Sequence, residues 1–470
     1  MSTIRVRFAP SPTGHLHIGS VRSAIFNWLF ARHHKATFLL RIEDTDIQRS
    51  TQAFLDSQLA SLAWFGLMPD EPIVYQLSRQ EEHLKAARRL IDEGKAYPCF
   101  CEPREADEVI HALEQGAGAK YSGKCRNIAP EERNMQKPHA IRFKLPDSLS
   151  TVTFKDVILD TVSVSTDQLD DYVIIRRDGT PIYNFCVVVD DISMKISHVI
   201  RGQDHVSNTP KQVLLYRALG EQEPLFAHIP LILGPTGAKL SKRDASVSVE
   251  EYRAQGYLAE ALFNYLVRLG WSHGDDEVFT RDQLVEVFDL DHVGKKGSIF
   301  DSKKLQWLNG VYLRASSSEK LLGSLDLIDP VYRKNLEAAW SATELDALLT
   351  LYKERAVTLI ELYTAVHGCA AEPTAHDVSL IAKWQTAQTP AMLQAFIDQA
   401  SALAVFDHDA LAACGNAVCA EFATKLVALA QPLRLALTGG TVSPGVFDIM
   451  AILGKERSLA RVQVLCDALV

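Results

Sequence analysis

The chain has 470 residues, of which 47% are apolar and 23% charged. That composition excludes a disordered or fibrous chain and predicts roughly three globular domains. A formal charge of −9 excludes a protein that coats nucleic acid or anionic membrane through bulk charge, but not one that offers a local basic surface.

In chain order, Ile4 to Ala9 reads as a strand that stops at the turn cluster Pro10-Ser11-Pro12-Thr13-Gly14. From Gly19 to His33 apolar residues recur at helical spacing (Val21, Ala24, Ile25, Trp28, Leu29). Thr37 to Ile42 is a short strand entering the acidic turn Glu43-Asp44-Thr45-Asp46, and 52–65 and 79–93 read as helices. This alternation predicts a parallel α/β sheet over residues 1–97. Residues 98–185 carry short strand-like runs (AIRFKL, TVTFKDVI, DYVIIRR) and read as an inserted α/β module. Buried-strand patterns return at 181–189 and 196–200, followed by a helix over 209–219, so the sheet is expected to resume over 186–250. Residues 251–322 and 323–470 read as helical. The last part carries ten Lys and Arg against sixteen Asp and Glu, a composition shift that marks a boundary near 322.

Eight cysteines are too sparse for a disulfide scaffold. No apolar leader precedes the first strand, and no apolar run approaches a membrane span. A reduced, cytoplasmic setting is expected.

Three constellations can carry chemistry. In Arg7-Phe8-Ala9-Pro10-Ser11-Pro12-Thr13-Gly14-His15-Leu16-His17-Ile18-Gly19-Ser20 a strand ends, a turn follows and a helix begins near Gly19. Free N–H groups and the dipole at a helix start suit a phosphate, Gly19 lets a nucleotide approach, and His17 can donate to phosphate oxygens. A lone His-x-Gly would read as structural. In Gly237-Ala238-Lys239-Leu240-Ser241-Lys242-Arg243, Lys239 and Lys242 stand three apart on a Gly-rich loop and can close on a triphosphate. Alone, such a run reads as a solvated basic loop. Cys99, Cys101 and Cys125 can fill three corners of a zinc tetrahedron, or remain three free thiols.

The first two motifs, in this order and flanking a split α/β domain, resemble the HIGH and KMSKS signatures of class I aminoacyl-tRNA synthetases. RFAPSPTGHLHIGS, RIEDTD, YNFCVVVDD, VIRGQDH, KLSKRDASVSV, NYLVRLGWSHGD, PLRLALTG and SPGVFDIMAILGKE are similar, in family order, to segments of bacterial-type glutamyl-tRNA synthetases over nearly the whole chain. The resemblance implies a Rossmann-like catalytic domain split by an acceptor-end-binding module. A helical stem-contact domain and a helical anticodon-binding domain would follow. It implies that ATP, with Mg²⁺, activates L-glutamate to glutamyl-adenylate for transfer to the terminal adenosine of a glutamate-accepting tRNA, by a monomer.

Residue chemistry agrees with that expectation. Glutamate brings two carboxylates and one ammonium. Arg7 and Arg201 offer forks for the carboxylates, Glu43 suits the ammonium, and Tyr183 and Ser11 add hydroxyls. The resemblance places ATP against Ala9, His17, Gly19, Asp204, Lys239 and Lys242, with Asp204 on the ribose. It also makes Tyr121 the fourth zinc ligand, since Asn127 stands where some relatives have His. Ser20, Leu240, Arg243 and Gln203 depart from the motif letters, and the role of Gln203 stays open. Asp46 reads equally well as part of a solvated turn. Lys295, Lys296, Lys303 and Lys304 are candidate tRNA contacts, although each taken singly reads as ordinary surface. Two rivals remain. A truncated relative that glutamylates a tRNA base lacks the helical C-terminal part present here. A non-catalytic tRNA-binding paralogue does not need His17, Lys239, Lys242, Arg7 and Glu43 together.

Overall fold

A computed structural model of the chain describes residues 3–101, 121–240, 248–371 and 377–469. The chain divides into two compact units, Met1–Glu251 with Phe263–Asp301, and Tyr252–Leu262 with Ser302–Val470.

In the first unit, β1 (Arg5–Phe8), β2 (Thr37–Ile42) and β3 (Val74–Tyr75) are parallel, with Arg5 opposite Thr37 and Phe8 opposite Leu40. Val6, Phe8, Phe38, Leu39, Leu40 and Ile42 are all buried. In β2 both faces are covered, which is why Phe38-Leu39-Leu40 reads as a continuous apolar run. A second group sets β9 (His198–Gly202) parallel to β10 (Leu225–Ile229), and β10 parallel to β6 (Thr151–Asp156). Ser197 N–H donates to the Arg5 carbonyl at 3.0 Å and brings β9 alongside β1. Strand order therefore runs one way from β1 through β2 and the other way from β9 through β10. In parallel sheets that reversal opens a crevice at the strands' C-terminal ends.

The helix Ile18–His33 follows β1 and is buried along most of its length, including Val21, Ala24, Ile25 and Leu29. The helix Gln52–Trp64 starts on Thr51, whose hydroxyl accepts from Phe54 N–H at 3.2 Å.

One expected strand is a helix. The apolar pattern at 181–189 suggests a buried strand, but the chain forms a helix over Tyr183–Ser193. The run Phe185-Cys186-Val187-Val188-Val189 is buried on every side. A short apolar run of that kind has no period to tell helix from strand, and its β-branched valines favoured the wrong choice. Helical geometry lets the consecutive Asp190 and Asp191 reach different cations.

Within the inserted region, β4 (Ala96–Cys99), β5 (Ala140–Phe143) and β8 (Val173–Ile175) form an antiparallel sheet of their own. β6 pairs with β7 (Asp160–Ser165) as a hairpin. Along β6 exposure alternates, so Val152, Phe154 and Asp156 all face inward.

The second unit is helical: Ser302–Ala315, Ser318–Asp326, Pro330–Ala339, Ala342–Tyr352 and Leu359–Gly368, then Thr389–Ser401, His408–Glu421, Leu426–Thr438, Val446–Leu453 and Lys455–Leu469. Leu321, Leu325, Leu348, Leu393, Leu433 and Leu465 are among its fully buried core residues. Side-chain caps delimit the helices: Ser341 and Glu344 form a capping box, and Asp329 and Asp407 each accept from a first-turn N–H. Among the described residues no helix is long and apolar enough to cross a membrane.

Candidate active site

A cavity of about 480 Å³ lies where the strand order reverses, at the ends of β1, β2 and β9. Ala9, Ser11, His17, Gly19 and Tyr183 line it, as do Arg7, Glu43, Arg201, Asp204 and Lys239. The structure thus brings together every predicted glutamate and ATP residue that it describes. Lys242 lies outside the described residues.

The turn after β1 is tied from both sides. Glu43 N–H donates to Pro10 O at 2.9 Å, and the Gln58 amide donates to the carbonyls of Ser11 (3.0 Å) and Gly14 (2.7 Å). His17 is the N-cap of the helix Ile18–His33, and its Nδ1 accepts from Gly19 N–H at 3.1 Å. One of the helix-start donors expected for phosphate is therefore engaged by the motif's own histidine. A Cβ at Gly19 would sit 3.3 Å from that ring nitrogen, so glycine leaves the cap room.

Charge in the floor is paired and buried. Arg7 directs Nε and Nη2 at the two oxygens of Asp191 (3.1 and 3.2 Å). Arg41 bonds the same carboxylate and also reaches Glu43 Oε1 at 3.1 Å. All four side chains are buried. Burial pushes the Glu43 carboxyl up, against the pull of Arg41 and Arg7. Burial also opposes the Asp191 charge, but Arg7 and Arg41 outweigh it and hold its pKa below the ordinary carboxylate value. Asp46, by contrast, is at the surface and pairs with Arg49 at 2.6 Å.

Arg201, at the end of β9, is arranged differently. Its Nε meets His228 Nε2 at 3.1 Å and its Nη2 donates to the Thr209 hydroxyl at 2.8 Å. Its Nη1 is buried without a hydrogen-bond partner. A buried guanidinium edge with no acceptor is costly unless a ligand supplies one. Tyr183, at the start of its helix, shares a hydrogen bond with His205 Nδ1 at 3.1 Å, and burial lifts its pKa to about 12. Burial, then the Arg201 charge, push His205 down to about 4, so its ring is neutral at pH 7.

At the mouth of the cavity Lys239 Nζ lies 3.5 Å from Asp204, with both side chains well exposed. A Cβ at Gly202 would approach Asp204 Oδ1 to 2.5 Å, so glycine there lets that carboxylate fold over the strand end. Lys239 leaves a turn in which Gly237, at φ +79°, donates to Gly234 O at 3.0 Å. Leu240 is buried and donates to Ile232 O, and the chain returns at Val249, whose N–H donates to Leu16 O at 3.1 Å. The basic loop thus leaves and rejoins the structure beside the His17 motif.

Sequence reasoning did not single out Asp191, Thr209, His228 or Asp156. The available signals were two adjacent carboxylates closing the apolar run FCVVV, and a histidine inside the apolar strand LFAHI. Each is a polar group that must find a partner once buried.

In the inserted region, Cys101 and Cys125 Sγ are 3.6 Å apart. The Tyr121 hydroxyl is 3.4 Å from Cys99 Sγ and 3.8 Å from Cys101 Sγ. The three sulfurs lie within 4.8 Å of one another. Three thiols and a phenol converging on one point are a donor set that fits tetrahedral zinc. Arg142 Nε, 3.4 Å from Cys99 Sγ, adds a charge that favours a thiolate there. Lys295, Lys296 and Lys303 are exposed and Lys304 is half-exposed. Lys295 pairs with Asp160.

Residues 3–307 match the family model of class I tRNA synthetases (E and Q), catalytic domain. A curated relative, glutamate–tRNA ligase of Thermodesulfovibrio yellowstonii, is 44% identical over 99% of this chain and 100% of its own. The chain belongs to the class I glutamyl-tRNA synthetase family. A second relative, glutamate–tRNA ligase of Pelobacter propionicus, is 43% identical over 98% of both chains. Residues 324–466 match an anticodon binding domain model. A crystal structure of the glutamate tRNA ligase from Elizabethkingia meningosepticum, in complex with its amino acid, superimposes with a TM-score of 0.89 at 32% identity over 100% of both chains.

Proposed function

We propose that the chain joins L-glutamate to the 3′-terminal adenosine of a glutamate-accepting tRNA in two steps. A carboxylate oxygen of glutamate attacks the α-phosphorus of ATP and pyrophosphate leaves. A ribose hydroxyl of the tRNA then attacks the acyl carbon and AMP leaves. The observation that carries the reading is the Arg201 guanidinium, buried at the pocket floor with Nη1 unpartnered and suited to a carboxylate.

Arg201 and Arg7 would hold the two substrate carboxylates, Glu43 the ammonium, and Tyr183 and Ser11 would add hydroxyl contacts. Ala9 and Gly19 would let the nucleotide approach, and Asp204 would accept from its ribose. His17, Lys239 and Lys242 would stabilise charge on the phosphates as the bond to phosphorus forms, with Mg²⁺ entering on ATP. Cys99, Cys101, Tyr121 and Cys125 would hold a structural zinc that braces the module at 98–185. That module would meet the acceptor end, the helices at 251–322 the tRNA stem, and those at 323–470 the anticodon. The enzyme would act as a monomer in the cytoplasm.

Charging of purified glutamate tRNA with labelled glutamate tests this directly. The native chain should charge it, and Lys242→Ala should slow charging by about two orders of magnitude, the size of a lost transition-state contact. An unaltered rate in Lys242→Ala would remove the basic loop from the mechanism.

A further inference from the structure

Arg7 and Arg201 present the same chemistry to the pocket and are held by opposite means. Two of the Arg7 donors face a carboxylate, so much of its charge is compensated. Arg201 is bonded by an imidazole and a hydroxyl, both neutral, so its charge stays available. Neutral groups hold a guanidinium weakly unless their own lone pairs are fixed in direction.

We propose that Asp156 and His228 form a relay that sets the imidazole tautomer and so aims the unpartnered edge of Arg201 into the pocket. His228 lies on β10 and Asp156 at the end of β6, the strand paired with β10. Both are buried. Asp156 Oδ1 accepts from Ile158 N–H (2.9 Å) and Leu159 N–H (2.8 Å), which fixes the carboxylate plane. Asp156 Oδ2 faces His228 Nδ1 at 2.5 Å. A carboxylate only accepts, so the proton sits on Nδ1. Nε2 is then a lone pair, and it accepts from Arg201 Nε at 3.1 Å while the Thr209 hydroxyl stands 3.0 Å away. With Nε and Nη2 fixed along one edge, Nη1 is left for the substrate. The negative charge of Asp156 acts one ring away from Arg201, so the arginine is oriented without direct neutralisation. Asp156 comes from the hairpin of β6 and β7, which thereby supports Arg201 through His228. Asp156 and His228 are positioning residues: His228 touches Arg201, Asp156 acts through His228, and neither touches the substrate.

The inference rests on Arg201 as a receptor for a glutamate carboxylate, and the variants separate the two. In Asp156→Asn, Oδ1 keeps its backbone donors and the amide N–H turns to Nδ1. The ring must then carry its proton on Nε2, pointing it at Arg201 Nε–H. The KM for glutamate in tRNA charging should rise about tenfold or more, while kcat and the KM for ATP stay within about threefold. His228→Asn, which can occupy only the Nδ1 position, should behave alike. His228→Gln, whose carbonyl can reach the Nε2 position, should restore the glutamate KM to within about threefold of native. Nitrogen-15 shifts of histidine, with His228 assigned from its variants, should report the Nδ1–H tautomer in the native chain and Nε2–H in Asp156→Asn. An Nε2–H tautomer in the native chain, or an unchanged glutamate KM in Asp156→Asn, overturns the relay. Should Asp156→Asn fail to fold, equal glutamate KM values for His228→Asn and His228→Gln overturn it. Arg201→Lys is the control. An unchanged glutamate KM there overturns the carboxylate reading itself, whereas a raised one with normal His228 and Asp156 variants overturns the relay alone.

Discussion

Around the pocket, Arg7, Arg41, Asp191 and Glu43 are buried in one bonded network, whereas the helical unit buries leucine against leucine, at Leu321, Leu348, Leu433 and Leu465 among others. Even its buried Arg461 reaches backbone carbonyls, those of Leu437 and Cys369. The charged network is directional: each member has one place to point, and removing one leaves the others buried and unpaired. Apolar packing is graded, and a lost methyl group is felt in proportion to the space it leaves. The pocket therefore trades stability for aim, and the helical unit supplies stability without fixing any single contact.

The sharpest way to break that contrast is Asp191→Ala. It removes the carboxylate that Arg7 and Arg41 share and leaves two buried cations with Glu43 beside Arg41 alone, so unfolding stability of the catalytic unit should drop by about 3–5 kcal/mol, read as a shift in the urea midpoint. A drop below about 1 kcal/mol would mean that water or a rearranged carboxylate replaces the lost partner. Leu433→Ala should cost the helical unit about 3 kcal/mol by opening a cavity, with glutamate affinity unaltered in equilibrium dialysis. Loss of glutamate affinity would show that the two regions are not separable.

Acid should act on the pocket through His205. Its pKa in the fold is about 4 against 6.5 for the free side chain. A lowered histidine pKa contributes stability that is complete above pH 6.5 and is lost as pH falls toward 4, because the unfolded chain takes up the proton first. Urea midpoints measured from pH 7 down to 4.5 should fall, and His205→Asn should flatten part of that slope. An identical slope in the variant would remove His205 as its source. Smaller still is Ser341→Ala, which deletes one side of the capping box and should cost about 1 kcal/mol by thermal unfolding. Asp46→Ala should leave both folding and charging unaltered, since Asp46 pairs with Arg49 at the surface.

The same contrast explains what was readable beforehand. Strands at 4–9 and 37–42 and the helices at 52–65 and 209–219 follow from period and turn residues, and the structure has them within a residue or two. Arg7, Glu43, Tyr183, Arg201 and Lys239 were legible because each sits in a motif that resembles the family's and has a side chain that suits the ligand, and they do line one cavity. Asp156 and His228 were not, because they stand 72 residues apart in the chain and meet only through the pairing of β6 with β10. Asp191 was hidden in a run whose helix or strand character depends on what surrounds it. Local pattern carries elements and motif residues, while the partners that aim those residues are set by strand register and packing.

Equilibrium dialysis of labelled glutamate against the native chain and Arg201→Ala bears most directly on the pocket. The native chain should bind glutamate, and Arg201→Ala should bind it about 100-fold more weakly with ATP affinity intact, the size expected for a desolvated charge pair. Equal glutamate affinity in the two proteins would contradict the assignment of the buried Arg201 edge to the substrate.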